Sequence, residues 1–255
     1  MDLALKLSER YGKGYLSYSS IKCALQDMSL FEMKMRDEIK FNSPALSFGK
    51  LYDCLLLTPD SFDGQFVVAD DAKMCKEIGG KAPRNTKAYK EWKAEISQLT
   101  QNADKTLVSQ EDMFKAEQMI ARLKETGVHE IALQGDAQYE FNDFIGDVPV
   151  RGFLDILGDG YITDSKTTQK LSKFKWSIRD FSYDIQAYIY TEVLGIKDFR
   201  WVAQEKTEPY SVALYYASDQ TLKQGKMKFD TAVEKIREHL DSGLKASTYY
   251  ETSYI

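Results

Sequence analysis

Apolar side chains recur at helical spacing through the first half of the chain. Four segments repeat them every three or four residues: 21–28, 46–57, 88–99 and 109–126. This period places the apolar side chains on one face and predicts four helices. Ser17 or Ser19 is placed to cap the first helix and Ser109 the last, while Pro59 ends the second. Residues 17 to about 125 are therefore expected to be mainly helical.

The pattern changes near Ile131. Short β-branched and aromatic runs separated by Gly-Asp and Asp-Gly turns predict strands at 139–144, 148–157, 160–168, 199–205 and 210–217. Helices are predicted at 182–194, capped at Asp180 or Ser182 and ended by Gly195, and at 221–243. Strands, a helix and further strands behind a helical leader predict an α+β or α/β fold. Its central mixed β-sheet would be flanked by helices.

The 255 residues suffice for one domain with a substantial core and no disulfides. We expect a single domain with three parts. These are a helical region over 1–130, a sheet with its helix over 131–220, and a C-terminal helix and tail over 221–255.

Composition excludes several classes of protein. Hydrophobic residues make up 43% and charged residues 29%, as in ordinary globular proteins. No run approaches the ~20 apolar residues of a membrane span, and the charged N-terminus does not resemble a signal peptide. Three distant cysteines suit a reducing compartment. The sequence thus predicts a cytoplasmic protein without a membrane partner, and its two histidines argue against a histidine-based metal site.

The net charge of −5 argues mildly against a nucleic-acid binder, but the distribution of charge matters more. Residues 165–179 contain five cations and no acid: Lys166, Lys170, Lys173, Lys175 and Arg179. Residues 73–93 contain seven cations and two acids, which we interpret as a solvated surface.

A hairpin around residues 159–160 brings charged groups together. Asp-Gly favours a two-residue type I′ loop, in which both central residues have positive φ. If this loop forms, Asp155 lies opposite Asp164, with Cβ atoms about 5 Å apart. Lys166 follows two residues later and points to the same face. Two carboxylates and an ammonium are thus predicted in one cluster.

The preceding turn at Gly146-Asp147 extends this cluster. If Ile145 pairs with Val148, Glu140 lies opposite Phe153 and diagonal to Asp155. A shift of one residue would move Glu140 to the other face.

Two carboxylates directly opposed across a sheet destabilise it unless something compensates their charge. Magnesium is the natural candidate, since it prefers carboxylate oxygens and water. The alternative is an exposed hairpin with a Lys–Asp pair worth less than about 1 kcal/mol. We favour the metal site because the neighbouring segments agree with it.

These residues resemble a known signature. Asp155 followed by Asp164-Ser165-Lys166 reads as the D…(D/E)-x-K signature of the PD-(D/E)XK nuclease superfamily. Segments 151–157 and 162–168 resemble the catalytic segment of phage and prophage exonucleases, the lambda exonuclease and exonuclease VIII group. Gln186 and Tyr190 resemble the Q-x-x-x-Y motif of the same enzymes. Segments 15–22 and 47–62 are similar to the exonuclease VIII leader, so the resemblance spans Tyr15 to Tyr216.

The resemblance implies roles for individual residues. Asp155 and Asp164 would bind Mg²⁺, or Mn²⁺ in its place, together with the main-chain carbonyl of Ser165. Lys166 would act on the nucleophilic water, and Glu140 would bind a second metal or a water.

Gln186 and Tyr190 would contact DNA or support the site, although Tyr190 reads about equally well as a core aromatic. Where the family places a histidine ligand, this chain has Asp53, which can bind magnesium as well. An equally good interpretation of Asp53 is a surface pair with Lys50.

The basic stretch acquires a role from the same resemblance. Four cations follow the catalytic strand and are placed to contact backbone phosphates without sequence specificity. They are Lys170, Lys173, Lys175 and Arg179. Trp176 and Phe174 lie among them. They could stack on a splayed base, but packing of both onto the core is at least as good an interpretation.

The activity implied is a Mg²⁺-dependent exonuclease that hydrolyses phosphodiesters with a metal-activated water. The resemblance further implies 5′→3′ action on linear duplex DNA, a ring-shaped homo-oligomer, and single-stranded tails for recombination with an annealing protein. A structure-selective endonuclease and an inactive DNA-binding recombination scaffold stay open as alternatives.

Overall fold

A mixed β-sheet surrounded by helices forms the centre of the molecule. The computed structural model describes residues 2–39 and 43–246. The helices in these ranges are α1 (Leu3–Tyr11), α2 (Tyr18–Gln26), α3 (Met28–Met35), α4 (Pro44–Leu57), α5 (Phe62–Gln65), α6 (Asp71–Ile78), α7 (Lys87–Asn102), α8 (Gln110–Glu125), α9 (Val128–Ala132), α10 (Phe174–Asp180), α11 (Tyr183–Leu194) and α12 (Asp219–Ser242). The strands are β1 (Phe66–Ala69), β2 (Thr106–Ser109), β3 (Asp136–Ile145), β4 (Val148–Leu157), β5 (Tyr161–Thr168), β6 (Asp198–Glu205) and β7 (Val212–Tyr216).

The large sheet has the order β3-β4-β5-β6-β7. The pair β5–β6 is parallel and the other neighbours are antiparallel. Parallel pairing requires a crossover connection, which α10 and α11 supply between β5 and β6. The predicted α+β class with a central mixed sheet is confirmed.

The predicted strand register is also confirmed. Ile145 pairs with Val148, and Glu140 pairs with Phe153. Between β4 and β5, Ile156 pairs with Thr163, which is the register that points Asp155 towards Asp164.

The loop that sets this second register differs from the prediction. Gly158 N–H donates to the Tyr161 carbonyl at 2.9 Å, as a two-residue hairpin requires. Of the two central residues, however, only Gly160 has a positive φ, at +76°. The type I′ prediction is therefore wrong: a single glycine in the left-handed region suffices for this turn.

Most of the predicted helix ends agree with the structure, and they lie at the predicted capping residues. Ser17 caps α2 and Ser109 caps α8, each through its side chain. Helix α11 begins after Ser182 and ends at Gly195. The first predicted helix is divided at Asp27, which ends α2 and whose carboxylate caps α3 by accepting from Ser29 N–H.

The helical region contains a small sheet that the sequence pattern did not predict. Strands β1 and β2 pair in parallel, Phe66 opposite Thr106 and Ala69 opposite Ser109. Each strand has only four residues, and the two are separated by about 40 residues, so no local period reveals them. The predicted C-terminal tail, residues 247–255, lies outside the described residues.

Helix α11 lies in the middle of the main core. Eight successive residues from Asp184 to Thr191 are buried. The helix lies between the sheet and α12, and Gly225 is the point of close approach to α12: a Cβ built there would lie 2.0 Å from the Asp184 carbonyl oxygen. Only glycine allows this contact.

Among the helices of the two described ranges, none combines the length and the apolar character needed to cross a membrane.

Gly225→Ala is expected to lower the free energy of unfolding by about 1–3 kcal/mol, because the new methyl group must push α12 away from α11. The measurement is urea unfolding followed by circular dichroism. Gly49→Ala in α4 is the matched control, since no atom apart from its chain neighbours and its own helical backbone lies within 4 Å of its added Cβ. We expect that variant to be unchanged or more stable by up to about 1 kcal/mol. Equal stability of the two variants would contradict the close helix contact.

Candidate active site

The centre of the site is an ion pair on β5. Lys166 Nζ lies 2.5 Å from Asp164 Oδ2, with only 2% of the Asp164 side chain exposed. On the other oxygen, Gln186 Nε2 donates to Asp164 Oδ1 at 2.8 Å. The Asp164 carboxylate is therefore held between a cation from its own strand and an amide from α11.

Gln186 and Tyr190 lie one turn apart on α11 and are both buried. Gln186 Nε2 also approaches Tyr190 Oη at 3.3 Å, and Tyr190 Oη donates to the Phe153 carbonyl at 2.9 Å. The Tyr190 ring packs edge-on against Phe141. The pair thus connects Asp164 to the backbone of β4, an arrangement that supports the site from inside the fold.

Asp155 reaches across from β4 to the strand that carries Asp164. Its Oδ2 accepts the main-chain N–H of Ser165 at 2.7 Å. Gln138 on β3 approaches Oδ1 at 3.4 Å and has φ +53°, a conformation uncommon for a residue with a side chain. Asp155 is half-buried, so its carboxylate lies at the edge of the cluster.

Asp53 approaches the cluster from α4. Burial raises the pKa of Asp53 well above its usual range, and the charge of Asp155 raises it further, with Lys166 opposing and Asp164 adding to the rise. None of the ion pairs in the described chain joins Asp53 to Lys50, so the surface pair is not formed. Asp53 instead lies within electrostatic range of the two aspartates.

The electrostatics of the cluster are unbalanced. Burial raises the pKa of Asp164 to about 6, assisted by Asp155 and opposed by Lys166 and the Gln186 hydrogen bond. Burial alone would lower the pKa of Lys166, but the charges of Asp164 and Asp155 outweigh it and hold that pKa above its usual range. Three carboxyl groups interact with one ammonium, which favours an additional cation.

Glu140 contacts an arginine in this structure, and its role as a second-metal or water ligand stays a prediction. Arg151 Nε donates to Glu140 Oε1 at 2.6 Å, and Arg151 also donates to Tyr15 Oη at 3.0 Å. The register of Glu140 is as predicted, but its exposed side chain pairs with the arginine rather than with Asp155. Ladder position fixes the face of a residue, whereas the nearest opposite charge decides where a long side chain points.

The predicted DNA-binding cations all lie on the surface: Lys170, Lys173, Lys175 and Arg179. The two aromatic residues in this stretch differ in exposure. Phe174 is 1% exposed and belongs to the core, whereas Trp176 is 51% exposed. Base stacking is therefore excluded for Phe174 in this fold.

Two tyrosines next to Lys166 were not found from the sequence. The Tyr183 ring centroid lies 5.1 Å from Lys166 Nζ, within the range of a cation–π interaction. Tyr18 interacts electrostatically with Lys166 and donates its hydroxyl to the Phe181 carbonyl at 2.6 Å. Tyr183 stands three residues before Gln186 and shares its helix face, a signal that the sequence did contain.

The donor groups suit a hard divalent cation. Asp155, Asp164 and the carbonyl of Ser165 offer oxygen only, and Gln186 Oε1 is buried without a hydrogen-bond partner in the described chain. Over residues 2–39 and 43–246, no three His, Cys, Asp or Glu side chains are grouped as a metal-binding set. The fit therefore rests on two aspartates and a carbonyl, with Asp53 nearby.

A mixed sheet that carries D…D-x-K on adjacent strands, backed by a Q-x-x-x-Y helix, defines a domain of the PD-(D/E)XK class. The chain belongs to the family described as PDDEXK-like domain of unknown function (DUF3799), whose profile matches residues 17–248. This confirms the superfamily that the sequence resemblance indicated.

One solved structure shares the fold. A protein from Eubacterium rectale, described as "Putative exonuclease", is 15% identical with a TM-score of 0.64, and the match covers 98% of this chain and 92% of that one. A second structure, described as SSO0001, is 13% identical with a TM-score of 0.31, and covers 78% and 86% of the two chains. No curated protein matches the chain.

Asp53→Asn is expected to stabilise the metal-free protein at pH 8 by about 1 kcal/mol or more, because it removes a buried charge next to Asp155. The folded-state pKa of Asp53 is raised, so protonation favours the native state. The gain from the substitution should therefore shrink as pH falls towards 4 and both forms become neutral.

The measurement is chemical unfolding in chelator at several pH values. Asp60→Asn, an exposed aspartate just beyond α4, is the control and should show no such trend. A loss of stability at pH 8 in Asp53→Asn would contradict the electrostatic assignment.

Proposed function

We propose that this protein is a magnesium-dependent DNA exonuclease that hydrolyses phosphodiester bonds of linear duplex DNA. The observation that carries the proposal is the cluster of Asp155, Asp164 and Lys166 on adjacent strands of a PDDEXK-like domain. Manganese is expected to replace magnesium.

The carboxylates supply the metal ligands in this proposal. Asp155 and Asp164, with the carbonyl of Ser165, would hold the ion, which when bound lowers the pKa of a coordinated water and polarises a phosphoryl oxygen. Gln186 keeps Asp164 fixed from α11 through its 2.8 Å hydrogen bond. Asp53 adds negative charge from α4, which strengthens the attraction for a cation.

Lys166 has a separate task. Its ammonium is held charged by Asp164 and Asp155, so it acts as a hydrogen-bond donor and a positive charge rather than as a base. From this position it would orient the attacking water and stabilise negative charge that develops on the phosphate. The Tyr183 ring lies 5.1 Å from the ammonium, within the range of a cation–π interaction.

The substrate is inferred from charge. The four cations of 170–179 are exposed and follow directly on the catalytic strand, so they can neutralise backbone phosphates without sequence preference. The helical region supplies Asp53 to the same site, which supports one nuclease domain built from both parts of the chain.

The requirement for a DNA end is the finer part of the proposal. The Eubacterium rectale protein of similar fold is described as "Putative exonuclease", and the leader of this chain resembles exonuclease VIII. By the same resemblance we propose 5′→3′ polarity, a ring-shaped homo-oligomer, a cytoplasmic location, and single-stranded products for an annealing partner in recombination.

Linear and covalently closed circular duplex DNA distinguish the possible activities. We expect magnesium-dependent loss of the linear form alone, none in chelator, and release of nucleotides from the 5′-labelled end first. Gel analysis with each end labelled in turn is the measurement. Cutting of the closed circle would indicate a structure-selective endonuclease, and absence of any cleavage would indicate a DNA-binding scaffold.

Asp164→Ala is expected to abolish cleavage while largely retaining DNA binding, because it removes the carboxylate that Lys166 and Gln186 contact. Asp159→Ala is the matched control. It removes an exposed aspartate at the tip of the same hairpin, and its activity should equal that of the parent. Cleavage by Asp164→Ala at the parental rate would refute the site.

A further inference from the structure

Helix α10 is rigidly mounted beside the active site. Its first residue, Phe174, is buried and stacks on Tyr215 with ring centroids 5.0 Å apart and planes at 27°. The residue after its last turn, Phe181, accepts the Tyr18 hydroxyl on its carbonyl at 2.6 Å. Both ends of α10 are thus fixed to the core, so its outer face has a defined position.

That outer face presents an aromatic ring between two cations. Trp176 is 51% exposed, with Lys175 Nζ 5.2 Å and the Arg179 guanidinium 5.5 Å from its ring centroid. Phe181 is 50% exposed, and Lys22 Nζ lies 5.6 Å from its ring. Large exposed aromatics flanked by cations combine an apolar stacking surface with phosphate-binding charge.

A short chain of ring contacts connects this face to the catalytic lysine. Lys166 Nζ lies 5.1 Å from the Tyr183 ring, and the Tyr183 ring lies 5.7 Å from the Phe181 ring. Phe181 is therefore two contacts away from Lys166, and Trp176 lies on the helix that Phe181 ends. DNA bound at Lys166 would have its neighbouring nucleotides over this surface.

We propose that Lys175, Trp176, Arg179 and Phe181, which we term the α10 platform, bind unpaired bases of a DNA single strand next to the active site. Trp176 stacks on a base, and Lys175 and Arg179 contact the adjoining phosphates. Stacking requires bases that are splayed from a duplex, so the platform selects DNA with an unpaired segment at the point of cleavage. This inference rests on the proposed function, because it takes DNA as the substrate.

The charge around the platform favours this occupant. Residues 165–179 contain no acid, and the next residue, Asp180, is exposed and contacts Arg179 at 3.3 Å. A useful contrast is Trp92 on α7, which also has a lysine over its ring, Lys93 at 5.7 Å. Trp92 is only half-exposed, and Lys93 is paired with Asp71 at 3.2 Å.

The experiment measures binding without cleavage. A fluorescein-labelled oligo(dT) strand and an abasic strand of equal length are titrated with the full chain in chelator, and fluorescence anisotropy gives each Kd. Trp176→Ala should weaken oligo(dT) binding on the order of tenfold. Its affinity for the abasic strand should match that of the parent, because no base is present to stack.

Three variants make the result specific. Trp176→Phe keeps an aromatic face and should stay within about threefold of the parent. Trp92→Ala should bind both strands like the parent. Arg179→Ala should weaken the binding of both strands equally, since it removes a phosphate contact.

The proposal is overturned if the parent does not bind oligo(dT), or if Trp176→Ala binds it as tightly as the parent does. Equal losses by Trp176→Ala on the oligo(dT) and abasic strands also overturn it. A change in oligomeric state of Trp176→Ala by analytical ultracentrifugation, with DNA affinity intact, would identify the face as an interface between copies instead.

Failure of the proposed function gives a different result. If the parent binds oligo(dT) through Trp176 but does not cleave DNA, the α10 platform is supported and the proposed nuclease activity is refuted. If the parent cleaves DNA but Trp176→Ala binds oligo(dT) as tightly as the parent, the nuclease activity is supported and the α10 platform is refuted.

Discussion

The buried carboxylate of Asp164 is the group on which the architecture of the site depends. Burying a charge is costly unless it is paired and hydrogen-bonded. Lys166 supplies the charge from the same strand, and Gln186 supplies the hydrogen bond from α11. The second contact requires α11 to lie firmly against the sheet, which the Tyr190 hydroxyl and the close α11–α12 contact at Gly225 achieve.

The same cluster carries more negative charge than its single ammonium can balance. Asp155 raises the pKa of both Asp53 and Asp164, so the metal-free fold holds groups that disfavour each other. Such a concentration of like charge is costly to stability and is typical of functional sites. A divalent cation offsets the repulsion, and the oxygen-only donors are of the kind that magnesium prefers.

Local sequence rules predicted the part of the site that lies on consecutive strands. Alternation along β4 and β5 and a two-residue turn were enough to place Asp155 near Asp164 and Lys166, even though the turn type was wrong. Helix capping at Ser17 and Ser109 was equally local. These features need only the period of the chain and the chemistry of a few residues.

Features that depend on tertiary contacts could not be predicted in this way. Two equally good interpretations of Asp53 stood until the position of α4 was known, and Glu140 had the predicted register but pairs with Arg151. The sequence does not distinguish Phe174 from Trp176, because both are aromatic residues in the same basic stretch. The packing of α10 is what buries Phe174 and leaves Trp176 exposed. The parallel pairing of β1 with β2 joins short segments far apart in sequence.

Direct measurement of cation binding tests the central claim that Asp155 and Asp164 form a metal site. Mn²⁺ binding to the full chain, followed by electron paramagnetic resonance, should yield a defined Kd. That Kd should rise at least about tenfold in Asp155→Asn, because a ligating carboxylate is lost. Glu140→Gln should bind like the parent, since Glu140 contacts Arg151. Unchanged Mn²⁺ affinity in Asp155→Asn would contradict the account.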